Sequence, residues 1–180
     1  DPSRRCAAAL PQPSFRRIDG DGASVRRRPL SSPSAVALRR ARRRTIADVI
    51  APRLGVLFCG INPGLYSAAI GHHFGRPGNR FWKALHAAGF TPRVLSPYED
   101  GTLLEHGLGI TNLVPRTTAS ADELTEAELA QGARVLIAKV ERYRPQVVAV
   151  LGIGAYRLGF GCPDAAVGRH RAHHAVPGHL

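Results

Sequence analysis

Two short stretches of this 180-residue chain concentrate side chains able to do chemistry. The first is Gly60-Ile61-Asn62-Pro63-Gly64, where an apolar run stops at a turn. The amide of Asn62 can donate and accept hydrogen bonds, but it takes up no proton near neutral pH and is no strong general base. A turn or capping role would use the same residue. The second stretch runs from His72 through His73, Phe74 and Asn79 to Trp82. Adjacent histidines on an extended loop point apart, which disfavours a shared metal ion. Phe74 reads as a core ring, and Asn79 is placed to cap a helix. His170, His173, His174 and His179 crowd the end of the chain without a matching Cys/His framework, so no metal site is expected there either. Neither a Gly-x-Ser-x-Gly elbow nor a Walker loop occurs. "GIGAYRLG" has only an incomplete dinucleotide-turn pattern.

The elements that must position these residues alternate in type. "GVLFCGI" (55–61) is short, apolar and bounded by turn signals, as in a buried strand. "NRFWKALHAAG" predicts a helix opened by Asn79 and stopped by Gly89. "SPYEDGTLLEHG" predicts a further short helix, and "LGITNLVP" (108–115) a second strand. The clearest helix follows Thr125, which forms a capping box with Glu128 ahead of Leu129, Ala133, Leu136, Val140 and Tyr143 at helical spacing. "QVVAVLG" (146–152) predicts a third buried strand, and "IGAYRLGF" a helix after it. "TIADVIAP" predicts a short helix ended by Pro52. Strands alternating with helices imply a parallel sheet covered on both faces, with ligands beyond the carboxyl ends of its strands. "GINPG" and "LGIGAY" both lie at such ends.

Composition sets the outer bounds. The hydrophobic fraction of 44% and the length suit one domain with a real core. No apolar run approaches the ~20 residues of a membrane span, and no signal-peptide pattern occurs, so a cytoplasmic protein is expected. Cys6, Cys59 and Cys162 are odd in number and widely spaced, which suits reduced thiols. The net charge is +12, and residues 1–45 hold twelve arginines against three aspartates. This basic extension (1–44) is expected to carry no packed structure. Its arginines can contact nucleic-acid phosphates non-specifically. The folded domain is expected over 45–160, with an irregular His/Arg-rich tail over 161–180.

"VLFCGINPGLYSA", "HHFGRPGNRFW", "GITNLV" and "VVAVLG" follow one another at spacings that resemble a mismatch-specific uracil/thymine DNA glycosylase, within the uracil-DNA glycosylase superfamily. The resemblance covers about two thirds of the chain. It implies a three-layer α/β/α fold on a short parallel sheet. The implied activity is that of a monofunctional glycosylase in base excision repair. It would flip uracil, or thymine or an exocyclic cytosine adduct, out of a G-mispair and hydrolyse its N-glycosidic bond without a cofactor. Asn62 would be catalytic, holding water against an oxocarbenium-like sugar. Gly60, Ile61 and Gly64 would approach the base closely. Phe74 would stack on its face, Ser67 would touch base or phosphate, and Asn79 would order the loop. Asn112, at the end of the second strand, could face the pocket. The partner would be double-stranded DNA bearing G/U or G/T mispairs, bound by a monomer of bacterial, nucleoid-associated function.

The resemblance also has a gap. The family carries a second motif of the Asn-Pro-Ser-Gly-Leu type, whose loop fills the space left by the flipped base. This sequence has no such stretch. A last strand and helix are likewise expected to be missing, through truncation or a frameshift. A non-catalytic nucleic-acid-binding protein, an inactive truncated glycosylase and an unrelated nucleotide-binding α/β enzyme are the alternatives.

Overall fold

A computed structural model describes residues 32–170. Expectations for Cys6, His173, His174 and His179, and for most of the basic extension, lie outside those residues. Among the described residues, three strands form one parallel sheet: β1 (Val56–Gly60), β2 (Leu108–Asn112) and β3 (Val147–Val150), in the order β2-β1-β3. The register pairs Val56 with Leu108 and Val147, and Gly60 with Asn112. This is the parallel α/β sheet that the alternating pattern predicts.

Strand alternation divides the core into two layers. Leu57 and Cys59 of β1 point to one face. There they meet Leu129, Ala133 and Leu136 of α4 (Glu126–Tyr143) and Ala155 of α5 (Ile153–Phe160). Phe58 points to the other face, with Leu108 and Ile110 of β2. It meets Trp82 and Leu85 of α3 (Phe81–Ala87) and Leu103 of a 3-10 segment, Pro97–His106. Each fully buried aliphatic side chain here contributes about 1.5–3 kcal/mol by leaving water. Phe58 meets Phe81 and Phe90 edge to face, at 5.3 and 5.9 Å between ring centroids. Burial pushes the Cys59 thiol up to about 12, so it is a neutral core side chain.

The capping box that opens α4 is formed as expected: Thr125 Oγ1 accepts from Glu128 N, and Glu128 Oε2 accepts from Thr125 N. Three expectations are corrected. Residues 45–52 form no helix. They run extended, with Val49 N donating to Ile110 O and Val49 O accepting from Ile110 N, so the residue bridges β2 antiparallel. Asp48 fixes the segment further, accepting from Thr111 Oγ1 and pairing with Lys139 of α4. β-branched Ile46, Val49 and Ile50 suit that extended course. Second, the basic segment is packed where it is described. Helix α1 (Ala35–Ala41) is capped by Ser34, buries Ala41 fully and lies against α2 (Leu65–Ile70). Third, β3 is less buried than its apolar sequence implies, with Val147 51% exposed at the edge of the sheet.

Candidate active site

Asn62 sits in the turn between β1 and α2, at the carboxyl end of the central strand. The chain beyond β2 runs alongside this turn and fixes it. Leu113 N donates to Gly60 O, Val114 N to Ile61 O and Thr118 N to Pro63 O. The Asn62 amide is tied to the same segment. Its Nδ2 donates to Thr118 Oγ1 at 2.7 Å and to Arg116 O at 2.9 Å. Thr118 is buried, and its own hydroxyl proton goes to Ser120 O at 2.7 Å, which leaves a lone pair facing Asn62. Both amide hydrogens are thus committed, whereas Oδ1 accepts no bond among the described residues. A flipped amide would set Oδ1 against the Arg116 carbonyl, so the orientation is determined. Arg116 is itself held by a two-pronged pair with Glu128, at 2.6 and 3.1 Å, and donates to Glu123 O. The Arg116 guanidinium holds the Glu128 carboxyl down at about 2.

Gly60, Phe74 and Asn112 come together beside this turn. A methyl group placed on Gly60 would lie 2.7 Å from Asn112 Oδ1 and 3.4 Å from Phe74 Cζ, so both side chains close over the glycine. Phe74 stacks on Phe81 at 4.0 Å, which occupies one of its faces. Its φ of +49° is a strained conformation for a bulky residue. Neighbours hold the backbone on both sides. Asp100 Oδ2 accepts from His73 N, Trp82 Nε1 donates to Phe74 O, and Ser67 Oγ accepts from Gly75 N. Ser67 is therefore a buried fastener of the loop, its oxygen satisfying the Gly75 backbone N–H. Asn79 orders the start of α3, its Oδ1 accepting from Phe81 N at 2.9 Å. Gly64 is exposed at the start of α2. Ile61 packs against the α4 layer, close to the turn at Gly152.

His72 and His73 point to different partners. His72 Nδ1 meets Asp100 Oδ1 at 3.1 Å, whereas buried His73 has Nε2 at 2.9 Å from Ala47 O. The carbonyl requires Nε2 to carry the proton, so Nδ1 is the acceptor and faces Asn112 Nδ2 at 3.4 Å. His73 thereby orients Asn112 at the end of β2. No group of three potential metal ligands occurs among the described residues.

Burial holds the His73 imidazole below its ordinary range, against smaller opposing effects from the Ala47 carbonyl and the charges of Asp100 and Asp48. Below about pH 6.5 the unfolded chain binds a proton that the folded imidazole refuses, so stability should fall as pH drops through that value. The fall should end only once the folded imidazole itself protonates. Melting temperatures of wild type and His73→Gln between about pH 7 and about pH 5 check this, with a shallower decline expected for the variant. Parallel curves would show that His73 does not carry the dependence.

Sequence reasoning missed Thr118, Asp100 and Trp82 as organisers of the site. Only Trp82 had a local signal, its helical spacing, and that signal reports burial alone. A cavity of about 530 Å3 lies between the 46–48 segment and α4, and its lining includes Asn112, Val114, Arg116, Glu128 and Lys139. Its charged walls are already paired, Lys139 with Asp48 and Arg116 with Glu128. The oriented, unpaired acceptor is at Asn62.

Fold and site together define a three-layer α/β protein with a cluster of polar side chains at the carboxyl edge of a parallel sheet. The model of the uracil DNA glycosylase superfamily matches residues 47–178. The chain belongs to that superfamily, whose members are DNA glycosylases, hydrolases that act on DNA.

Proposed function

We propose that this protein excises uracil from G/U mispairs in duplex DNA, as a monofunctional glycosylase acting in base excision repair. The observation that carries the reading is the locked Asn62 amide at the tip of the central strand, with both hydrogens bonded and its oxygen unpaired among the described residues. N-glycosidic cleavage of this kind begins with departure of the base, which leaves an oxocarbenium-like sugar. Water attacking such a cation needs orientation more than deprotonation, and an amide acceptor supplies orientation. The water's proton passes to solvent or to the departing base as the new C–O bond forms. Backbone N–H groups of the turn after Gly60 are suited to the negative charge developing on the base. Phe74, with one face against Phe81, offers the rest of its ring surface to a flipped pyrimidine. Flipping costs least at a mispair, which favours G/U over A/U and makes thymine and exocyclic cytosine adducts secondary substrates. The chain is read as a monomer working on bacterial nucleoid DNA, without a cofactor.

Single-turnover assays on matched duplexes bearing U:G, U:A or T:G test this. Free uracil and an intact abasic strand are expected, fastest from U:G. Failure to release base from all three would sink the reading. A strand nick formed along with base release would sink its monofunctional part.

A further inference from the structure

We propose that α1 and the turn after it form a clamp for the DNA phosphate backbone, with Arg39, Arg40 and Arg43 as its contacts. Helical spacing separates the arginines of this segment into two sets. Ala37, Leu38 and Ala41 face the protein, with Ala41 fully buried. Arg39, Arg40 and Arg43 share the opposite face, are exposed and make no ion pair among the described residues. Arg42 and Arg44 are spent on attachment. Arg42 Nη1 pairs with Glu123 at 3.1 Å, Arg44 Nη1 donates to Ala69 O at 3.1 Å, and Thr117 Oγ1 donates to Arg44 O at 2.6 Å.

Those anchor points matter because they lie on the two elements that flank Asn62. Ala69 belongs to α2, which begins directly after the Asn62-Pro63-Gly64 turn. Thr117 precedes Thr118, which bonds the Asn62 amide. The three guanidinium groups, without ion-pair partners among the described residues, are therefore carried on a platform anchored to the elements that flank Asn62. A favourable interaction with the C-terminal end of a helix accounts for only about 0.3–1 kcal/mol and needs no more than one or two cations. Three charges on one face, unpaired among the described residues, repel each other unless an extended anion lies across them. A phosphodiester backbone is such an anion, and guanidinium forks match its oxygens. The clamp rests on the chain's action on DNA but not on the catalytic role of Asn62.

The test compares wild type, the triple variant R39Q/R40Q/R43Q and its triple lysine counterpart. Binding to a duplex without any mispair is measured across a salt series, and each protein's thermal melt is recorded. For the glutamine variant, the slope of log affinity against log salt should shrink by about 1 for each arginine removed. The lysine variant should keep most of the slope. An unchanged slope and affinity would overturn the clamp. So would equal losses in both variants together with a lowered melt, which would trace the effect to unfolding of α1. Because binding is read without excision, a protein lacking glycosylase activity would still give a decisive answer.

Discussion

Asn62→Ala is expected to slow single-turnover uracil release by about 10²–10⁴-fold, the range typical of losing one positioned catalytic group, with duplex affinity little changed. The side chain sits at a strand tip, and its two donors are already satisfied within the protein, so its oxygen alone is available to a reactant. Removing it takes away orientation of the attacking water without altering the stacked or charged surfaces that bind DNA. A companion substitution separates the acceptor from what aims it. Thr118→Val keeps the shape of the buried side chain but deletes the oxygen that receives Asn62 Nδ2. It should cost about tenfold in the same assay, the equivalent of roughly 1.4 kcal/mol of lost amide orientation. Thr118→Ser should retain most of the rate. Asn62→Asp is not expected to make a better enzyme. A carboxylate lacks the hydrogens that Arg116 O and Thr118 Oγ1 accept, and it would face the Arg116 carbonyl with a negative charge. Excision undiminished in Asn62→Ala would remove this residue from the mechanism. A similar loss in the Thr118 serine and valine variants would show that packing at Thr118, not its hydroxyl, is what matters.

The parts of this molecule legible in its sequence are those specified by neighbours along the chain. Strand β1 is bounded by its own glycines, and α4 announces itself through Thr125, Glu128 and the repeat of Leu129, Ala133 and Leu136. The Asn62 turn was visible for the same reason. What escaped is specified across long separations. The extended course of 45–51 is imposed by Ile110, Thr111 and Lys139, none of which its local composition reveals. Helix α1 is stabilised by burying Ala41 and by Arg42 and Arg44 reaching Glu123 and Ala69. A run of arginines read alone gives only their mutual repulsion. The strained backbone of Phe74 is tolerated because Asp100, Trp82 and Ser67 converge on it from elsewhere in the fold. A sequence can suggest that Ser67 lies in a pocket loop. It does not reveal which backbone N–H the hydroxyl will satisfy.

Gly132→Ala is expected to destabilise the protein although alanine is the better helix former. In an exposed helix interior that substitution would gain about 1 kcal/mol from propensity alone. At this position of α4 the added methyl group would run into Leu113 O and lie 2.9 Å from Leu113 C. Both are backbone atoms, so no side-chain rotation relieves the clash. Leu113 cannot retreat easily, because its side chain is almost fully buried and its N–H donates to Gly60 O. Overpacking of this kind costs typically 1–3 kcal/mol and occasionally more, which exceeds the propensity gain. The melting temperature should therefore fall by a few degrees, on the scale of 2–8 °C per kcal/mol for domains near this size. Gly154→Ala in α5 is the control, since a methyl group there meets nothing within 4 Å and should be neutral or stabilising. The consequence extends to the site. α4 carries Glu128, Glu128 holds Arg116, and the Arg116 carbonyl accepts one of the two bonds that aim Asn62. A helix pushed away from Leu113 should loosen that chain of contacts, so excision should fall even below the melting transition. A raised melting temperature in Gly132→Ala would mean that α4 does not need its close approach to Leu113. Lowered stability with full activity would mean that the Arg116–Glu128 pair absorbs the shift before it reaches Asn62.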